Sequence, residues 1–204
     1  MVVLTKMGVF PLQWMRSSLS LMKTAFRLRK YGLEKKQCLT VWLAWSAKRR
    51  VNAFFQDQVN EIAAEIDEID GIIVGSPVYY GGPNGRITSF LDRLFFSIPD
   101  EKFNGKLGAS IVSCRRGGAS AAFERLNQYF LMENMHVVSS QYWNQVHGFS
   151  AEDVKKDEEG LQTMRTLGRN IVWLLKAIES GEKNNIQIPE HEAKTFTNFI
   201  WYEK

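Results

Sequence analysis

Cysteine is the scarcest reactive residue in this chain: Cys38 and Cys114 are the two present in 204 residues. Two thiols build neither a disulfide framework nor a cysteine-based metal centre of recognisable spacing. Histidine is nearly as rare, at three, and no carboxylate pair, Ser/His/Asp order or metal-ligand spacing accompanies it, so hydrolytic and metal-dependent chemistry lack their usual side chains. No apolar run reaches the roughly 20 residues needed to cross a bilayer. The first residues lack the charged, apolar and small-residue order of a secretory signal. A reducing cytoplasm is the expected location, with no membrane partner.

Acidic residues are missing from one place. Residues 1–50 carry eleven Lys/Arg against the single acid Glu34, a balance of +10, while residues 51–204 carry fifteen Lys/Arg against twenty-one Asp/Glu, a balance of −6. A basic arm for nucleic acid would show such a contrast. Trp14, Trp42 and Trp45 stand among many aliphatics here, which is a poor composition for a solvated arm, and no nucleic-acid partner is expected. A helix is predicted from about Trp14 to Tyr31, and Met1 to Leu4 read as the end of a strand.

From Gln56 onward the pattern is regular. Val59, Ile62, Ala63, Ile66 and Ile69 keep helical spacing. Gly71 to Val74 form an apolar run of the kind buried on both faces of a parallel sheet, stopped by Gly75-Ser76-Pro77. Asn84 is the expected N-cap of a helix that buries Ile87, Phe90, Leu91, Leu94 and Phe95 and keeps Arg86, Asp92 and Arg93 off that face. A second buried strand runs from Leu107 to Cys114, followed by a helix from about Ala119 to Glu133 on Phe123, Leu126, Phe130 and Leu131. His136 to Ser140 read as a further strand. A long helix follows from about Ser150, whose spacing to Asp153 looks like a capping box, with Gly181 placed to end it. Strands alternating with helices argue a doubly wound parallel sheet.

Two loops carry the chemistry. The stretch GSPVYYGGPNGRITSFLDRL holds a hydroxyl, two aromatics and several glycines between a strand and a helix, and ligands of open α/β sheets sit at the carboxyl ends of the strands. The stretch SCRRGG ends the next strand at the same edge, and its glycines permit close backbone approach. On the residues alone, an ordinary strand–helix connection and a seat for a flat aromatic ligand both remain open.

These stretches, with SSQYWNQVHG and DEEGLQTMRTLGRNIVWLLKAIE, resemble the flavodoxin-like NAD(P)H-dependent FMN reductase family, over about residues 56 to 199. The resemblance implies a three-layer α/β/α, flavodoxin-like fold and an FMN-dependent oxidoreductase that passes hydride from NAD(P)H, its co-substrate, through the flavin to a small acceptor such as a quinone. It implies that Ser76, Pro77, Val78, Tyr79, Tyr80, Gly81, Gly82 and Asn84 in one loop, and Ser113, Cys114, Arg115, Arg116, Gly117 and Gly118 in the other, bind the cofactor. An Arg there would favour negative charge on the reduced ring. Cys114 reads as packing. Trp143, Asn144, His147 and Gly148 would border the flavin or a partner subunit; His147 is the one candidate proton donor, though a lone His is more often structural. A homodimer or tetramer is expected.

The front departs from the family, which places a Gly/Ser/Thr/Asn loop at a helix N-terminus to hold the FMN phosphate. Residues 5–11, Thr-Lys-Met-Gly-Val-Phe-Pro, make no such cradle. A shifted reading frame over about residues 5–54 would account for the basic composition and the missing cradle together. The expected organisation is an aberrant segment 1–55, a flavodoxin-like domain 56–180 and a tail 181–204 packing on its own domain or a partner. The alternative function is an FMN-poor or inactive protein, or an electron carrier.

Overall fold

The computed structural model describes residues 2–4, 29–31, 58–190, 192, 193 and 195. Its centre is a parallel sheet whose strands run in the order β2-β1-β3-β5 and then β6 and β7, which share the outer side of β5. Here β1 is Val2–Leu4, β2 Arg29–Tyr31, β3 Gly71–Tyr79, β4 Gly82–Pro83, β5 Leu107–Cys114, β6 His136–Val137 and β7 Gln145–His147. Counting β6 and β7 as one interrupted strand, this is the 2-1-3-4-5 order of a flavodoxin-like sheet. The fold class is the expected one.

The helices are α1 (Gln58–Ala64), α2 (Gly85–Ser97), α3 (Ala119–Met132), α4 (Ala151–Val154) and α5 (Glu158–Lys183). Two apolar clusters lie on the two faces of the sheet. One joins Ile72, Val74, Val112 and Cys114 to α1, α2 and α3; the other joins Ile73, Ala109, Ile111 and Val146 to Met164, Leu167, Ile171 and Leu175 of α5. Each fully buried Leu, Ile or Phe contributes about 1.5–3 kcal/mol relative to exposure. Gly108 makes room for α3: a Cβ there would lie 2.5 Å from the Phe130 ring.

Several sequence expectations shift. Arg29–Tyr31, placed at the end of a helix by pattern, pair as a strand with β1. The run from Gly71 does not stop at Gly75-Ser76-Pro77, because pairing with β5 continues through Pro77↔Ser113 and overrides the local turn preference. The strand expected over 136–140 is two residues long, and the chain rejoins the sheet at Gln145. The Ser150 capping box is present but heads the short α4; Asp157 starts α5 separately, and α5 runs past Gly181 to Lys183. Arg93 is buried and Leu131 exposed, against the helical-face reading. The helix around Arg93 is covered beyond its apolar stripe, whereas Leu131 follows the buried Phe130 by one residue, a step of about 100° that turns it to the outer face of α3. The first fifty-five residues lie, apart from β1 and β2, outside the described residues.

Candidate flavin site

The carboxyl ends of β3, β5 and β7 form one rim. β3 leaves it through a hairpin: Val78 pairs with Pro83 and Tyr79 with Gly82 of β4. The two turn residues, Tyr80 and Gly81, have φ of 50° and 79°, the pattern of a type I′ turn. Glycine adopts this freely; tyrosine does so at a cost of about 1–2 kcal/mol. Tyr80 is fully exposed at the tip and Tyr79 half-exposed. Neither tyrosine faces the core.

Ser76 holds this hairpin to the helix that follows. Its hydroxyl is buried, donates to Pro77 O at 2.8 Å and accepts from Asn84 N–H at 2.8 Å. Asn84 caps α2 as expected, its Oδ1 accepting from Arg86 N–H at 2.8 Å. Both side chains therefore build the loop's own frame.

The second loop leaves β5 after Cys114. Gly118, with φ of 86°, opens α3. A Cβ on Gly118 would stand 2.7 Å from Gly81 Cα and 3.0 Å from Val78 Cγ1, so the two turns are in direct contact. They form a continuous glycine ledge in place of a gap between separate loops. Above it there is room: a Cβ on Gly81, Gly85 or Gly117 meets nothing within 4 Å, and one on Gly82 meets just Tyr79 O at 4.0 Å. Exposed backbone beside open space suits a flat ligand. Arg115 and Arg116 stand exposed beside it and form no ion pair among the described residues. Ser113 pairs with Pro77 across the two strands. Cys114 is buried, and burial pushes its thiol pKa up against the opposing hydrogen bonds of the Arg116 and Ala119 backbone. It is a packing residue with little thiolate character.

β7 completes the rim. His147 lies opposite Cys114, and Gly148 N–H donates to Cys114 O at 3.0 Å. One carboxylate fixes this end: Asp157 accepts from His147 N–H at 2.6 Å and, through its other oxygen, from Gly160 N–H at 3.0 Å at the start of α5. The same carboxylate lies 3.8 Å from His147 Nδ1. Phe149 is exposed just beyond, and Tyr142 and Trp143 are half-exposed with rings 5.0 Å apart. Asn144, expected at a border, is 1% exposed and belongs to the sheet, its carbonyl accepting from Val112 N–H. Sequence reasoning missed β7, the Asp157 clasp and Phe149. The signal for the clasp was present, since Asp157 precedes Gly160 at N-cap spacing, and a Cβ on Gly160 would strike Asp157 Oδ2.

The sequence profile of the family described as NADPH-dependent FMN reductase matches residues 14–149. The chain belongs to that family. The match begins before Gln56, where the resemblance read from motifs began, and takes in both glycine loops. Membership makes the chain a flavoprotein oxidoreductase of the FMN-binding kind. An iron-sulfur flavoprotein of Methanocaldococcus jannaschii is 32% identical over 130 residues, covering 60% of this chain and 67% of that one. A flavodoxin, WrbA-like protein from Agrobacterium tumefaciens superposes with a TM-score of 0.58 at 17% identity, covering 86% of this chain and 96% of the other. The Trp repressor binding protein of Bacillus subtilis gives 0.59 at 16%, covering 81% and 96%. Both structures share the fold.

The ledge fits a flavin ring. The donor set does not fit an iron–sulfur cluster of the kind the first relative's name records. Such clusters take four cysteine thiolates, or two with two histidines. These 204 residues hold two cysteines, and among the described residues no group of three or more His, Cys, Asp or Glu is placed to hold a metal.

Proposed function

We propose that the chain is an NAD(P)H-dependent FMN oxidoreductase that reduces a small acceptor such as a quinone. The observation that carries this is the contact of Gly81 with Gly118, which joins the two family loops into one backbone ledge with open space above it. FMN, when bound, supplies a ring that takes hydride from the nicotinamide and returns the electron pair to the acceptor. In the net reaction the nicotinamide C–H bond breaks, NAD(P)+ leaves, and a quinone gains two electrons and two protons, the second proton from water.

The protein's part is positioning. The backbone from Val78 to Gly82 and from Gly117 to Gly118 receives the ring, with Tyr79 and Tyr80 offering aromatic area at its edge. Arg115 and Arg116 favour negative charge there. His147, held at the rim by the Asp157 clasp, is placed to pass a proton to the reduced acceptor. Tyr142, Trp143 and Phe149 leave apolar area beside the rim, and a second copy of the chain is the partner expected to cover it, in a dimer or tetramer.

The test is direct. The purified chain, incubated with FMN and desalted, retains the yellow cofactor near one per chain and oxidises NADPH when a benzoquinone is supplied. A colourless protein that takes up no FMN rejects the proposal.

A further inference from the structure

The family places this chain beside relatives whose names carry an iron–sulfur group, and its residues disagree with that part of the name. The count alone leaves two routes to a cluster: two cysteines with two histidines in one chain, or two cysteines from each of two chains. The first needs Cys114 as one of its two cysteines, and the sheet register separates two of the three histidines. His136 pairs with Leu107 and His147 with Cys114, at opposite ends of the eight-residue strand β5. Seven residues of extended chain separate them by about 23 Å, far beyond the reach of one cluster. The second route needs Cys114 from both chains at a shared surface. Its side chain is 5% exposed and packs with Val112, Ala119 and Ala122 in the core between β5 and α3. Burial also raises its thiol pKa, which opposes formation of the thiolate that a ligand must be.

We infer that this chain works without an iron–sulfur cluster, so that electrons leave from the flavin itself and the acceptor has to reach the rim lined by Tyr79, Tyr80 and Phe149. This rests on the proposed flavin reading for its second half. A protein with a cluster can hand electrons on at a distance from the ring; one without it admits acceptors that fit against the ring's own edge.

The chain is incubated anaerobically with ferrous iron, sulfide, thiol and FMN, desalted, and assayed on one sample for iron, acid-labile sulfide and acid-released flavin. The reduced protein is then examined by electron paramagnetic resonance. Expected are iron and sulfide far below one per chain and no cluster signal, with flavin retained. Iron matched by sulfide at about one or more per chain, the share of the smallest two-iron cluster between two copies, together with a cluster signal, overturns the inference. Absence of both metal and flavin leaves the cluster inference standing and rejects the flavin reading. Cys114→Ser separates the roles further: flavin content and any residual iron stay as in the unaltered chain, whereas loss of iron on this substitution identifies Cys114 as a ligand and overturns the inference.

Discussion

Two neighbouring glycines at the rim are expected to fail in opposite ways when each gains a methyl group. Gly118→Ala acts on the fold. With φ at +86°, an alanine sits in the left-handed region at a cost of about 1–2 kcal/mol. Its Cβ also lies 2.7 Å from Gly81 Cα, a backbone atom that cannot rotate away, so the turns must part by roughly 0.7 Å to restore ordinary contact near 3.4 Å. Overpacking of this kind costs about 1–3 kcal/mol, and the total is about 2–5 kcal/mol. At about 2–4 °C per kcal/mol for a domain of this size, the cofactor-free protein melts roughly 5–20 °C lower. Gly117→Ala acts on the ligand. Its φ is not in the left-handed region and its Cβ meets nothing within 4 Å, so melting shifts by no more than about 1 kcal/mol in equivalent stability. Yet that methyl enters the space above the ledge, and FMN affinity drops about tenfold or more, a loss of about 1.4 kcal/mol. Differential scanning fluorimetry without FMN and flavin-fluorescence titration separate the two. A Gly118→Ala protein that melts with the unaltered chain, or a Gly117→Ala protein that binds FMN at full affinity, refutes the ledge.

Ser76→Ala removes the acceptor of the half-buried Asn84 N–H and is expected to cost about 0.5–1.5 kcal/mol; chemical denaturation reads it, and an unchanged midpoint shows that this bond is not needed. Tyr80→Gly relieves the left-handed tyrosine and raises stability by up to about 1 kcal/mol, while quinone reduction falls; unchanged turnover removes Tyr80 from the site. The Ser150 hydroxyl and backbone, donating to Asp153, hold that carboxyl below the usual range, with Lys156 adding to the effect. A depressed folded pKa contributes stability above the unfolded carboxylate range and loses it as pH falls through the folded value. Ser150→Ala should therefore move the Asp153 titration upward in a carboxyl-resolved NMR experiment, and an unmoved titration denies the capping box its role. For the front of the chain, transcript sequencing decides between a shifted and an unshifted frame over residues 5–54. If shifted, a chain carrying the restored segment binds FMN more tightly.

What was legible in the sequence follows the range of the forces involved. β3, β5, α2 and α3 were readable because burial on two faces, or on one stripe, repeats every few residues and leaves a local pattern. The Asn84 cap was readable for the same reason, since a cap bonds two residues onward. β7 was not, because three residues carry too little periodicity and what makes them a strand is pairing with Val112, Ser113 and Cys114 more than thirty positions earlier. The end of β3 was misplaced by the opposite error. Gly-Ser-Pro is strong turn chemistry, but the β5 register carried through it. Family motifs marked both glycine turns without showing that they touch.

That contact is also why the site's glycines have different reasons to be glycine. Gly118 is held by its contact with the Gly81 backbone, and Gly81 by its place in a two-residue turn with positive φ. Gly117 has neither constraint, and nothing in the protein itself forbids a side chain there. The structure thus explains two of the three and leaves the third to whatever lies above the ledge. A substitution scan at position 117, tolerated in the cofactor-free fold and graded by side-chain volume in FMN binding, would measure that space with the ligand as its gauge. Full tolerance in both would mean that the ring lies elsewhere along the rim, toward Phe149 and His147.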